Sequence, residues 1–387
     1  MKQARKLMSR RQVSLLLAAL AAGVALPSHA GRVLPALERP ALTAARPAQS
    51  VMLSVARAGN RLVAAGERGL VLVSDDSGKT WTQAKVPVSV TLNALRFKNE
   101  REGWAVGNMG VILHTLDAGA TWARVLDGRA AAALTLQSAQ AAWDAAKPDP
   151  NALDHPLNLA LENARRLVDE GADKPLLDLA LARDGTLYTV GAYGLAFAST
   201  DGGGQWQARM GGLPNPEGFT LNGVVERQQE QFVYGEQGLL LHAAGPEQPF
   251  KAEALPSSTS LFGAVALREG PLLLLGLRGK VFRSAAPGAP WVEIQTPVDA
   301  SLFTGLQLAD GSVLLVGAAG QVLSSRDQGQ SFTALPMKIR FPFTGAAVAP
   351  DGTVVLAGTR GVLRLPATAA PITVSTRNSK EARDGKL

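Results

Sequence analysis

The chain has 387 residues, of which 46% are hydrophobic, 40 are glycine and none is cysteine. Without cysteine there is no disulfide framework, no thiol nucleophile and no Cys-ligated zinc or iron–sulfur site. Of the +7 net charge, five charges fall in residues 1–30 and the remainder in 367–387, so the body is near neutral overall, which argues against a non-specific nucleic-acid binder.

The amino terminus reads as an address. Lys2, Arg5, Lys6, Arg10 and Arg11 precede an uncharged apolar stretch, Val13 to Leu26, that is short for a membrane span. Small residues, Ser28 and Ala30, set up a cut after Ala30. Residues 1–30 are therefore expected to be a signal peptide that delivers the chain to the periplasm. The Sec route is favoured over the twin-arginine route, which Ser9-Arg10-Arg11 also resembles. No second stretch is long and apolar enough to cross a bilayer, so a monomer with no stable membrane insertion after cleavage is expected.

The rest of the chain repeats. Gly-x-x-Gly occurs at Gly66/Gly69, Gly107/Gly110, Gly191/Gly194, Gly235/Gly238, Gly276/Gly279, Gly317/Gly320 and Gly358/Gly361, at intervals of 41, 84, 44, 41, 41 and 41 residues. Each pair lies between two short β-type runs. Four short strands per unit at this period predict an all-β, seven-bladed β-propeller spanning 31–366.

A second motif, S/T-x-D-x-G-x-x-W/F, marks the turn between the third and fourth strands. It places Asp76, Gly78 and Trp81 in unit one and Asp117, Gly119 and Trp122 in unit two. Asp201, Gly203 and Trp206 follow in unit three, and Asp327, Gly329 and Phe332 in unit six. The carboxylate can accept backbone N–H bonds, the glycine permits a left-handed backbone, and the ring packs on the blade. These Asp-box residues are read as structural. Unit five has Ala286 where the acid belongs, and unit four keeps only Phe250.

One stretch, 127–174, breaks the repeat. Leu136, Ala139 and Trp143 fall at helical spacing. Asp154 can cap a second helix with Pro156 in its first turn, and Leu157, Leu161, Ala164 and Val168 form one stripe. A helical hairpin between blades two and three is predicted. It is either a docking arm or a surface hairpin packed on itself. Unit seven lacks a fourth strand, and residues Val33 to Ala44 are expected to supply it and close the ring. The tail, 367–387, is expected to be disordered.

No catalytic, metal or cofactor pattern appears. His29, His114, His155 and His242 are scattered, and Tyr188, Tyr193 and Tyr234 follow no sialidase signature. The expectation is a protein that is not an enzyme and needs no cofactor.

The Asp-boxes, the Gly-x-x-Gly turns and the signal peptide together resemble the photosystem II stability/assembly-factor family, in its bacterial branch, over roughly residues 45–365. The family is a branch of the Asp-box (BNR-like) propellers. The resemblance implies an exported seven-bladed propeller that binds a membrane protein complex or its precursor subunit and helps assemble or stabilise it. In phototrophs that complex is photosystem II, and in a non-photosynthetic host it could be a transporter. The alternative is an exported sialidase-like or carbohydrate-binding propeller. The family is associated with an arginine-rich patch. Here Arg68, Arg278 and Arg360 occupy Gly-x-x-Gly turns, with Lys338 and Arg340 in the link between blades six and seven. These five are the candidate partner-binding residues, as an anion-recognising face or as solvated turn cations.

Overall fold

The second strand of each repeat decides the architecture. Leu272, Leu273, Leu274 and Leu275 are all fully buried, as are Leu62, Val63, Ala64 and Ala65. Strands apolar on both faces must be covered on both faces. Here the cover is the neighbouring repeat on either side. The computed structural model of the chain describes residues 35–152, 154–245 and 248–365. Among these it forms seven antiparallel sheets, six of four strands and one of three.

The inner strands are Met52–Ala58, Leu92–Phe97, Leu176–Leu181, Leu221–Arg227, Leu261–Ala266, Leu302–Gln307 and Phe343–Val348. They pack side by side in chain order, and the seventh packs against the first. The chain is a seven-bladed β-propeller. Near the start of each inner strand the pairing register shifts, as between Leu92 and Ala94. The same shift occurs at Leu221/Gly223 and Phe343/Gly345. The bulged residue is freed from its own ladder and can reach the next blade. Asn93 Nδ2 donates to Leu176 O at 2.8 Å, Asn222 Nδ2 to Leu261 O at 2.8 Å, and Thr344 Oγ1 to Met52 O at 3.0 Å.

The insert is a hairpin of two helices, α1 (Gly128–Ala146) and α2 (Pro156–Glu170). Asp127 caps α1, accepting from Arg129 N and Ala130 N. The cap of α2 is His155, whose Nδ1 accepts from Leu157 N, and not the expected Asp154. The helices are tied by Trp143 Nε1 donating to Asn158 Oδ1 at 2.7 Å. Leu161 and Ala164 are buried, but Val168 is 42% exposed and leaves the stripe. Ala131, Leu134 and Leu167 pack into the core of blades two and three, so the base of the hairpin is anchored in the ring.

The expected fourth strand of blade seven is not found among the described residues. Residues 35–44 form no strand. Residues 36–44 run along the outermost strand of blade one and the link that follows it, with Gln83 Nε2 donating to Leu42 O, Ala41 N to Val86 O and Ser89 N to Ala36 O. Pro35 and Pro40 have no N–H for a ladder, which argues against a strand here. The signal peptide, Val33 and the tail 367–387 lie outside the described residues. No helix among the described residues is long and apolar enough to cross a membrane.

Candidate functional site

The Gly-x-x-Gly turns and the inter-blade links form one face because they touch. A Cβ on Gly110 would lie 2.6 Å from Gly128 Cα, and one on Gly320 2.8 Å from Arg340 Cα. On Gly69 it would collide with Val88 O, on Gly279 with Val298 O, and on Gly361 with Ala48 O. The second glycine of each turn is thus required by the link that crosses it. The segment around Ala48 takes the place of the link after blade seven, which is the closure that the amino-terminal segment supplies in place of a strand.

Five of these turns also put a non-glycine residue in the left-handed region, at Arg68, Met109, Tyr193, Gln237 and Arg278, with φ between 53° and 58°. That conformation is uncommon for residues with a Cβ and projects the side chain from the face. Arg68 and Arg278 share it (φ/ψ 53°/33° and 56°/39°) and are exposed. Arg360 is exposed but sits in a tighter turn closed by the Gly358–Gly361 pair, without positive φ. Its equivalence to the other two is therefore one of place and not of conformation.

Lys338 and Arg340 are exposed, with Ile339 between them 53% exposed. In ring order the cations run from Arg278 in blade five, through Lys338 and Arg340, to Arg360 in blade seven and Arg68 in blade one. Between them the turn of blade six carries Ala318 and Ala319 and no cation. Arg278 Nε meets Asp299 Oδ1 at 3.1 Å with both side chains more than 70% exposed, a pair that a stronger anion can displace. The corresponding turns of blades two to four carry Met109, Tyr193 and Gln237, so the other arc has no cation at this position.

The opposite face holds the Asp-boxes. In blade one, Asp76 accepts from Lys79 N and Thr80 N at 3.0 and 2.9 Å, and Ser74 Oγ accepts from Gly78 N at 2.8 Å. Asp117, Asp201 and Asp327 repeat the arrangement. Backbone and side-chain hydrogen bonds from Thr80 hold the Asp76 carboxyl well below the usual carboxylate range. At Asp327 burial opposes ionisation, but donors from Ser331, Ser325 and Gln330 outweigh it and hold the carboxyl at about 2. Their acceptor capacity is spent within the turn, and no cluster of metal-ligating side chains occurs among the described residues.

Each box glycine also plugs a seam. A Cβ on Gly78, Gly119, Gly203 or Gly329 would lie 3.1, 3.1, 2.9 or 2.7 Å from Val355, Val63, Trp104 or Leu273 of the preceding blade. Trp81, Trp122 and Trp206 donate Nε1 to the carbonyl of that glycine.

Two buried polar systems escaped the sequence reading. Asp178 lies between Arg96 Nη2 at 2.9 Å and Val224 N at 3.2 Å, joining blades two, three and four. Burial pushes its carboxyl up, against the opposing pull of Arg96. The second begins at Arg227, 3% exposed. Its Nη2 lies 2.6 Å from Glu230 Oε2, and its Nη1 donates to Ser284 Oγ at 2.9 Å. His242 lies 3.2 Å from Glu230 and 3.3 Å from Glu253, and Trp291 Nε1 donates to Glu253 at 2.8 Å. The only sequence sign of this chain was the loss of the box acids in blades four and five. Of the tyrosines, Tyr234 is buried, with burial pushing its hydroxyl up, while Tyr193 is 68% exposed in its turn.

Comparison with known proteins bears on this architecture. The family described as "Photosynthesis system II assembly factor YCF48" matches residues 43–135 and 158–267, the interruption falling in the helical hairpin. The photosystem II stability/assembly factor HCF136 of the chloroplast of Arabidopsis thaliana is 33% identical over 66 residues, a match that spans 16% of each protein. The solved structure of YCF48 bound to D1 peptide superposes with TM-score 0.58 at 18% identity, covering 84% of this chain and 98% of that one. YCF48 from Cyanidioschyzon merolae gives 0.54 at 15%, covering 82% and 96%. At these identities the structural likeness speaks for the fold, and the family match for the kinship.

Proposed function

This chain belongs to the photosynthesis system II assembly factor YCF48 family, and from that premise we propose that it is an exported, non-catalytic propeller that holds a membrane-protein precursor subunit during assembly. A YCF48 binds a D1 peptide, so a segment of a membrane protein is the class of client that kinship supports. The observation that carries the reading here is the basic arc. Arg68, Arg278 and Arg360 are exposed on turns pinned by the links beneath them, and Lys338 and Arg340 are exposed on the link between blades six and seven. Guanidinium groups on fixed backbone pair with carboxylates at lower entropic cost than flexible ones. In a host without photosystems the client would be another membrane complex, such as a transporter. The site of action would be the periplasm, reached through the signal peptide.

The test is a pull-down from solubilised host membranes with the mature chain as bait, scored for membrane proteins by mass spectrometry. The Arg68→Ala/Arg278→Ala/Arg360→Ala variant is expected to recover the client poorly while melting like the parent. Undiminished recovery would remove the arc from the account.

A further inference from the structure

On the face formed by the Gly-x-x-Gly turns, two exposed aliphatic side chains stand among cations. Leu277, 43% exposed, is followed by Arg278, and Ile339, 53% exposed, lies between Lys338 and Arg340. The link that carries Ile339 runs against Gly320, so blade six presents these three residues where its own turn has Ala318 and Ala319. Arg360 and Arg68 follow on the turns of blades seven and one, both exposed. Glu67, the acid beside Arg68, is tied to the backbone, its Oε1 accepting from Val51 N at 3.2 Å. Asp299, paired with Arg278, is itself exposed and exchangeable.

Exposed apolar side chains elsewhere have other company. Leu116, Val168 and Val292 are each followed by an acid, Asp117, Asp169 and Glu293. Leu42 and Leu159 have uncharged neighbours in the chain. Tyr193 has Lys174 Nζ 4.9 Å from its ring centre, but Glu170 and Asp173 already hold that ammonium at 2.7 Å. Among the described residues, an exposed large aliphatic side chain next to a cation is therefore confined to blades five and six and the link between blades six and seven.

We propose that this face docks on an anionic lipid bilayer. Leu277 and Ile339 enter the headgroup layer, and Arg278, Lys338, Arg340, Arg360 and Arg68 pair with lipid phosphates around them. Interfacial binding draws on buried apolar area and on attraction to anionic headgroups together, and both are present here within single turns. The geometry favours a plane over a peptide. These residues stand on the tips of separate blades, each tip seated on the link beneath it, so one flat surface meets several at once. A purely acidic segment would answer the cations and leave Leu277 and Ile339 in water. The contact is peripheral and reversible. The inference goes beyond the client reading and rests on it only in placing the chain beside a membrane.

The test is flotation of the mature protein with vesicles of phosphatidylcholine, with and without phosphatidylglycerol. Binding is expected only when phosphatidylglycerol is present, and it should fall as sodium chloride is raised. Leu277→Ser/Ile339→Ser should weaken it about tenfold or more, part of the worth of two buried aliphatic side chains, while melting like the parent. The Arg68→Ala/Arg278→Ala/Arg360→Ala variant should weaken it by up to about a hundredfold, at roughly one factor of five per cation. Val292→Ser, on the outer strand of blade five, should bind like the parent. In the pull-down from solubilised membranes, where no bilayer is present, Leu277→Ser/Ile339→Ser should recover the client like the parent. Undiminished client recovery by the arginine variant would remove the client reading and leave the vesicle result standing. Equal binding to both vesicle types would overturn the proposal, as would binding indifferent to Leu277→Ser/Ile339→Ser or a loss as large in Val292→Ser. So would a Leu277→Ser/Ile339→Ser protein that keeps vesicle binding and loses the client, because the aliphatic tips would then belong to a protein contact.

Discussion

Blades one, two, three and six solve one structural problem locally, and blades four and five solve it at long range. In the first group a serine or threonine hydroxyl accepts the glycine N–H of the same turn, four residues on, at 2.8–3.0 Å. In blade five, Ser284 holds the same place, but its hydroxyl accepts from Arg227, 57 residues earlier in blade four. Behind Arg227 stand Glu230, His242, Glu253 and Trp291 in a line. An Asp-box is self-sufficient, since each of its bonds closes within eight residues. The blade four–five junction works only when two blades are already assembled, and a buried charge there depends on its partner.

That difference can be broken most sharply at Arg227. Arg227→Met should cost about 3–5 kcal/mol in urea unfolding, because Glu230 is left buried beside no cation. Adding Glu230→Gln should recover part of the loss, whereas an unchanged double mutant would show that the pair is not the source. A box responds less. Gly119→Ala must hold φ at 81° and bring a methyl 3.1 Å from Val63, and should cost about 1–2 kcal/mol in the same assay.

The boxes should also carry an acid signature. Asp327 in the native state is held at about 2, below its ordinary 3.8, so the folded protein binds fewer protons than the unfolded chain between those values. Its contribution to stability is complete above about pH 4 and fades as pH falls towards about 2. Asp327→Asn should therefore lose stability at neutral pH and close the gap to the parent near pH 2, read as urea midpoints across that interval. The smallest effect is expected at the exposed Arg278–Asp299 pair. Asp299→Asn should leave the urea midpoint unchanged and, if the basic arc binds anions, should strengthen client recovery.

The same division explains what could be read from the residues alone. The turns were legible because the second glycine of each is dictated by a close backbone approach, and Gly110 against Gly128 recurs in kind around the ring. The boxes were legible because their partners are neighbours in sequence. Arg227 was not, since nothing near it announces Ser284. Nor was the left-handed geometry at Arg68 and Arg278, because no residue type at that position signals it. A strand was expected at Val33 to Ala44 because the pattern of unit seven left a strand position open, whereas the prolines at 35 and 40 fit a non-ladder segment better. For the candidate site, the sequence put Arg68, Arg278 and Arg360 in equivalent turns and Lys338 and Arg340 in a link by counting within repeats. It could not tell that Arg360 sits in a different turn, or that Asp299 faces Arg278.

The junction between blades seven and one contains no bond along the chain. Inner-strand packing, the Thr344 hydroxyl on Met52 O and the seat of Ala48 against Gly361 hold it. Physically the molecule is cyclic, and the order in which its blades are numbered is a matter of where the chain was cut. A circular permutant tethering Leu365 to Arg46 and opened at another link should keep the same ring. Tension applied between those two residues in the native protein would part blade seven from blade one before any sheet unravels.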